Sequence, residues 1–344
     1  MKIALITDQH LDGRKGNINF WNYFQKFYDN IFFPTLEKEG ITTIIDLGDT
    51  FDNRKSMDYN TFNRVDANYF RRLVNYDVHM LLGNHCTYYK NTNAINSPEL
   101  LLEKYSNITI YSEPKNVKLG NKKFLMMPWI NSGNREQCLE YINQGESEIM
   151  CGHLECDGFE VTPGMHFEGG FKVSDFKEFK RVWSGHFHHK SKHGNVQYLG
   201  NPYQMYWNDY GDVRGFHLFD TETTKLKFIK NPFNMFAKIY YDDTVVDPDT
   251  IDETECNNKF VKLIVEKRNN YYAYDNLVER LYQTGVHDLK IIDNTQEKIN
   301  PSGDIEVEGT LSFLENYIEE IDYEDKDTLK SIIGSIYSES LQLE

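Results

Sequence analysis

The sequence predicts an α/β protein with a small α+β unit and two helices appended, and three observations carry that expectation. Over residues 1–230, short apolar runs alternate with longer segments in which Phe, Tyr and Leu recur at helical spacing. Five of the runs stop at Asp, Asn or His, often with a Gly alongside. Past Pro232 the pattern changes. Residues 235–296 read as a strand, strand, helix, strand unit without such polar stops, and 304–344 as two helices behind the linker-like Asn300-Pro301-Ser302-Gly303.

Taken in order, residues 3–7 form a strand that runs into Asp8-Gln9-His10, and 19–38 carry helical spacing. Residues 44–47 form a strand ending in Gly48-Asp49-Thr50-Phe51-Asp52, followed by a helix over 60–75. The run 80–82 stops at Gly83-Asn84-His85, and Ser97-Pro98-Glu99 opens a helix over 97–105, with Pro where a first helical turn tolerates it. The run 149–151 stops at Gly152-His153, and 182–183 at Ser184-Gly185-His186-Phe187-His188. Residues 196–200 and 214–220 read as closing strands of one and the same sheet. In the appended unit, strands are expected at 237–241, 260–265 and 288–292, with a helix at 272–283. Beyond the linker, Val307, Leu311, Leu314, Ile318 and Ile321 make one apolar stripe, and Leu329, Ile332, Ile333, Ile336 and Tyr337 a second. Each stripe has acids opposite it, which suits either packing on its own domain or docking on a partner protein.

Composition narrows the function classes. At 344 residues with 40% apolar content, the chain has room for one large domain and one or two small ones. No apolar stretch approaches the roughly 18 residues of a membrane span. The opening MKIALITD leads straight into Asp8 and His10, so a soluble, cytoplasmic protein that keeps this segment is expected. Five irregularly spaced cysteines, without a paired C-x-x-C, argue against a disulfide framework or a zinc ribbon. The net charge of −16 speaks against nucleic acid at first sight. However, residues 304–327 alone contribute −9, leaving −7 for the rest, which bound divalent cations would offset locally. DNA is allowed by charge without being indicated by it.

The polar stops carry the chemistry. Asp8 and His10 stand two apart in an extended segment, so both can face one side, and carboxylate with imidazole suits a divalent transition metal. His186 and His188 repeat the spacing. Singly, an H-x-H, a Gly-Asp turn, a Gly-Asn-His or a Gly-His means little. All of them at strand ends, in one chain, point to a metal site at a sheet edge, where α/β proteins gather ligands. Arg54 and Lys55 belong to a solvated loop or touch a phosphate backbone, and Tyr88, Tyr89 and Lys90 pack within the fold by default or else stack on bases. His189 and His193 are expected to be exposed, and His79, His166 and His217 fall in no pattern.

In this order the motifs D-x-H, G-D-x-x-D, G-N-H, G-H and G-H-x-H resemble the calcineurin-like metallophosphoesterase superfamily. Within it the chain is most similar to the SbcD-type nuclease subunit of DNA double-strand-break repair complexes, including bacteriophage recombination endonuclease subunits. The resemblance implies a two-sheet α/β sandwich over 1–230, a capping domain over 235–296 and a helix-loop-helix over 304–344 that binds an SbcC-type coiled-coil ATPase. It implies one metal on Asp8, His10, Asp49 and His188, and a second on Asp49, Asn84, His153 and His186. His85 is then the catalytic residue. One position departs: the family carries Asp after G-N-H, and here Cys86 follows. Either the enzyme is tuned down by the lost carboxylate, or Cys86 simply packs under its loop.

The resemblance therefore implies a metal-dependent DNA exonuclease and endonuclease, acting in recombination, replication and double-strand-break repair. The mixed His, Asp and Asn donors favour two Mn2+ ions, with Fe2+ or Mg2+ as alternatives. Expected partners are double-stranded DNA ends, single-stranded DNA, the ATPase and a second copy of the chain, in the host cytoplasm if the origin is a phage. The alternatives are a phosphatase of the same superfamily and a catalytically weakened scaffold subunit. GDTFDNRK and GNHC differ from the G-D-x-x-D-R-G and G-N-H-E of protein phosphatases.

Overall fold

The computed structural model describes residues 1–162, 164–295 and 326. By their contacts these group into two units. One comprises Met1–Lys238, Asp252–Lys262 and Glu279–Leu289, the other Ile239–Ile251, Leu263–Val278 and the described residues from Lys290 onward.

Within the first unit two six-stranded sheets stack face to face. The first contains β1 (Lys2–Ile6), β2 (Thr43–Asp46), β3 (Asp77–Leu81) and β4 (Ile108–Tyr111). The second contains β5 (Lys115–Leu119), β6 (Lys122–Met127) and β7 (Ile149–His153). A small pair, β8 (Glu160–Thr162) and β9 (Met165–His166), stands apart. Next come β10 (Arg181–Gly185), β11 (Ser191–His193), β12 (Val196–Tyr198), β13 (Gly215–Asp220) and β14 (Leu226–Lys230). The sheet orders are β14-β13-β1-β2-β3-β4 and β11-β12-β10-β7-β6-β5. β1 to β4 run parallel, as do β6, β7, β10 and β12, so both sheets point their carboxyl ends the same way along these strands.

The two-residue alternation of strands builds the layers. Ile3, Leu5, Ile45, Leu81 and Phe219 face Phe124, Met126, Ile149, Cys151 and Trp183 between the sheets. Ala4, Ile6, Ile44, Val78 and Met80 face outward into a second core, under the helices that follow β1 and β2. Leu125, Met127, Met150 and Val182 do the same on the far side. Strands buried on both faces read as continuous apolar runs, which is why the sequence exposed them so clearly.

The region 19–38, expected as one helix, is three pieces: Ile18–Phe27, a π-helical turn at Tyr28–Phe32, and Phe33–Glu39. Asn17 caps the first piece through Asn19 N (2.9 Å), and Gly40, at φ 63°, ends the last. The region 60–75 is a helix at Tyr59–Asn68, capped by Asp58, and then a 3-10 stretch at Phe70–Asn75, because Tyr69 leaves helical geometry. Ser97–Leu102 forms as expected behind Asn96, whose Oδ1 accepts from Glu99 N at 2.9 Å. One expectation fails. The strands foreseen at 196–200 and 214–220 do not close a common sheet, since β12 joins β10 in the second sheet and β13 joins β1 in the first. Periodicity identifies a strand but not its partner.

Farther on, β15 (Phe236–Asp242), β16 (Phe260–Lys267) and β17 (Asp288–Asp293) form a three-stranded sheet in that order, with a helix at Tyr271–Gln283. The helix pair foreseen over 304–344 lies outside the described residues. No helix among the described residues is long and apolar enough to cross a membrane.

Candidate metal centre

The loops after β1 and β2 stay hydrogen-bonded beyond their strands. Asp8 N donates to Gly48 O, His10 N to Asp49 O and Leu11 N to Thr50 O, each at 2.9 Å. The zipper forces Asp8 (φ 50°), His10 (φ 42°) and Asp49 (φ 51°) into the left-handed region, and His186 after β10 sits there too (φ 90°). Non-glycine residues rarely adopt it, and such strain concentrates where function fixes the backbone. Two glycines make room. A Cβ on Gly83 would lie 2.1 Å from Asp49 Oδ1, and one on Gly185 would lie 2.0 Å from Thr7 Oγ1 and 3.0 Å from Asp8 Oδ2.

The seven expected ligands meet at this edge. Ligand atoms of Asp8, His10 and His188 lie within 4.8 Å of one another, and so do those of Asp49, His153 and His186. Asn84 joins the second group, its Oδ1 lying 3.0 Å from His153 Nε2 and 2.9 Å from His186 Nδ1. In the first, His10 Nε2 faces His188 Nε2 at 3.2 Å, an approach of two imidazole nitrogens that needs a proton or a cation between them. His10 Nδ1 is buried without a hydrogen-bond partner, although Asp52 Oδ1 stands 3.0 Å away, off the line of its N–H. This donor set, crowded, polar and largely buried, with Asn84, His186 and His188 half-buried at its open side, fits divalent cations on both groups. His85 is partly exposed: its N donates to Asp49 Oδ1 at 2.8 Å, and its Nδ1 lies 2.7 Å from Asp52 O.

Charge follows geometry. Burial pulls His10 down, but Asp52, Asp49 and Asp8 together raise it to about 9. Burial likewise opposes charge on His153, yet Asp49 beside it, with Asp8, raises it to about 9. Burial raises Asp49, but His153, His85 and His10 outweigh it and hold the carboxylate well below its ordinary range. His188, desolvated and facing His10 and Arg214, is held well below the usual histidine value. Cation binding needs His10 and His153 neutral, so between pH 6.5 and about 9 it must expel their protons. Metal affinity is therefore expected to rise with pH across that window, by up to about one log unit per pH unit at each site, and to level off above it. Calorimetry in two buffers of different ionisation enthalpy reads the released protons. The metal-free fold has the opposite dependence. Both pKa values are raised on folding, so the stabilisation is complete below the ordinary histidine value and is lost as pH climbs through about 9.

Several supporting residues went unnoticed in the sequence. Gln9 donates to Asp46 Oδ2 (2.8 Å) and accepts from Tyr28 OH (2.6 Å), while Tyr203 OH donates to Gln9 O (2.5 Å). Asp46, which burial raises to about 7, also accepts from Thr50 Oγ1 (2.6 Å) and Gly48 N (3.1 Å), tying both loops down. The π-helical turn is what presents Tyr28 to this network, a use typical of such bulges. Asp12 Oδ1 accepts from Asp52 N (2.6 Å), Glu155 Oε1 lies 3.3 Å from His186 Nε2, and Arg214 holds the His188 carbonyl. The only available cue was proximity to a motif, for Asp12 and Glu155. His189, expected to be exposed, is buried and paired with Asp212 at 2.7 Å, because the loop after β10 turns inward. Cys86 is fully buried. Burial pushes its thiol up, and the Asp49 carboxylate adds to that, while the nearby backbone of Phe51 and Gly83 acts in the opposite direction.

Comparison with known proteins places this geometry. A family model described as calcineurin-like phosphoesterase matches residues 1–217. Exonuclease subunit 1 of Enterobacteria phage T4 is 32% identical over 319 residues, covering 89% of this chain and 90% of that protein. Among solved structures, a novel archaeal phosphodiesterase matches 67% of this chain and 100% of its own at 14% identity, but at a TM-score of 0.35 that likeness carries no argument.

Proposed function

This chain belongs to the calcineurin-like phosphoesterase family, and we propose that it is the metal-dependent DNA exonuclease and endonuclease subunit of a recombination and double-strand-break repair complex. What carries the reading is the joining of seven Asp, His and Asn side chains from both sheets at one edge of the sandwich, in a chain similar along most of its length to an exonuclease subunit. Asp8, His10, Asp49 and His188 would hold one cation, and Asp49, Asn84, His153 and His186 the other. Bound there, a pair of divalent ions, Mn2+ by the mixture of imidazole and oxygen donors, would supply Lewis acidity toward a phosphodiester and make a hydroxide nucleophile available at neutral pH.

The chain's own part is positioning and proton transfer. A carbonyl only accepts, so His85 Nδ1 carries the hydrogen donated to Asp52 O. That leaves Nε2 as the atom that takes up a second proton and, from the imidazolium so formed, passes it to the leaving oxygen while the Nδ1 hydrogen stays on Asp52 O. Position 86, where the family has a carboxylate, is not needed for this orientation, because Asp52 supplies it.

The partners follow from the same reading: DNA ends, single-stranded DNA, and an SbcC-type ATPase engaged through 304–344, with 235–296 as the capping domain. Homodimer formation is supported by exposed Tyr59, Ile95 and Leu100, which with Phe62 and Leu101 make an apolar patch on the helices Tyr59–Asn68 and Ser97–Leu102 and the loop before the latter. The chain would act in the cytoplasm, that of the host if it is phage-encoded. Purified chain with Mn2+, with and without the ATPase, is expected to degrade linear duplex DNA and to leave a phosphopeptide intact. Hydrolysis of the phosphopeptide alone would select the phosphatase, and inertness toward both would select the scaffold.

A further inference from the structure

Away from the metal edge, the space between the two sheets opens into a cleft of about 1220 Å3 whose lining is unlike the rest of the sandwich. By register, Trp183 pairs with Gln197 and Gln197 with Lys192, while Arg181 shares the face of Trp183, two residues on. From the opposite sheet His217 shares the inward face of Phe219 and pairs with Phe228. Inward positions that are apolar elsewhere in this sandwich are therefore Arg, Gln, Lys and His here. Stacked sheets bury apolar faces unless something polar fills the space.

The charge is one-sided. Lys180, Arg181, Lys192, Lys225 and Lys227 line the cleft, and no acidic side chain among the described residues does. Lys180 pairs with Glu148 and Lys227 with Glu39, at 3.0 and 3.6 Å. Arg181, Lys192 and Lys225 have no ion pair among the described residues. In a chain of net charge −16, this is a concentrated positive surface. A further observation points to a ligand. His217 is only 3% exposed, lines the cleft and leaves its Nδ1 without a hydrogen-bond partner. Burial holds that imidazole neutral at about pKa 4, with Lys190 adding to the effect, so it can hydrogen-bond without adding charge. Thr223, Thr224 and Asn195 supply hydroxyl and amide groups. Cations interspersed with hydroxyls and amides are the groups that contact phosphate and sugar, and the volume exceeds that of most small-molecule sites.

We propose that this cleft binds the phosphodiester backbone of DNA as a second contact, remote from the metal edge. It rests on the nuclease reading for the choice of DNA. Arg181 opens β10 and His186 follows its end, so the two contacts stand about 16 Å apart along that strand. The cleft would hold substrate while the edge cuts it.

The test uses the full chain carrying Arg181→Glu, Lys192→Glu and Lys225→Glu, with Lys225→Gln alone as a milder variant on an exposed turn. Affinity for a 30-base-pair duplex is read by fluorescence anisotropy over a salt series, beside manganese content and hydrolysis of bis(p-nitrophenyl) phosphate. The triple variant is expected to lose at least about 10-fold in affinity and about 2.7 in salt slope, and the single variant about 0.9, as counterion release requires. Metal content and small-diester hydrolysis stay at the parent's values. Parental DNA affinity and salt slope in the triple variant overturn the proposal. So does a loss confined to polyglutamate binding, which would assign the cleft to an acidic protein segment. A parent that binds DNA through the cleft yet hydrolyses no diester leaves the proposal standing and rejects the nuclease reading instead.

Discussion

Asp49→Asn is expected to strip the chain of metal at both positions and to bring DNA hydrolysis to background, a loss of at least about 10³-fold. Asp49 is the one carboxylate proposed to serve both cations, and the structure gives it no slack. It is 1% exposed, at φ 51°, with Oδ1 accepting from His85 N at 2.8 Å and Oδ2 3.2 Å from His153 Nε2. The amide has nearly the shape of the carboxylate but no charge, and one of its two oxygens becomes a donor that would face His85 N or a cation. Removing a negative charge from between two divalent ions in a water-poor site costs far more than one ordinary hydrogen bond. The readout is the thermal shift caused by manganese. The parent should gain about 2.7 kcal/mol for each site saturated at 100 times its Kd, and the variant little. Elemental analysis gives the same answer by count. An Asp49→Asn protein that retains full metal content would disprove the shared-ligand arrangement.

How much of this was legible in the sequence depends on how local each feature is. Asp8, His10, Asp49, Asn84, His153, His186 and His188 stood out because each lies at the end of a doubly buried strand or within four residues past it, so its position is set by neighbours in sequence. The glycines beside them were readable for the same reason, since Gly83 and Gly185 leave no space for a Cβ. The network of Gln9, Tyr28, Asp46 and Tyr203 was not, because it joins residues up to 194 positions apart and no period marks it. Tyr28 also depends on a π-helical turn, which looks in sequence like more of the same helix. The misplaced strand β13 has a similar origin. Leu5 pairs with His217, and only the closed sandwich decides that. Cys86 shows the reverse. The sequence marked it as a departure, and the structure shows that the imidazole it was expected to steer is held by Asp52.

That last point sharpens the second large effect, on His85. His85→Ala is expected to lower kcat on duplex DNA by about 10²–10⁴-fold, the range of a positioned proton donor, while leaving metal content unchanged. The second half is a strong demand, because His85, His10 and Asp52 also bring ligand atoms within 4.8 Å of one another and offer a third place for a cation. Against that, His85 Nδ1 is committed to the Asp52 carbonyl at 2.7 Å, and the side chain is partly open to solvent, where a substrate oxygen can reach Nε2. A ligand would leave with its metal; a proton donor would not. Manganese binding by calorimetry beside single-turnover cleavage separates the two, and lost metal would make His85 a ligand. Cys86→Asp supplies the contrast. The imidazole is already held by Asp52 O, so a carboxylate at position 86 is expected to keep or raise turnover. A sharp fall in Cys86→Asp, with metal retained, would mean that the orientation of His85 depends on position 86 rather than on Asp52.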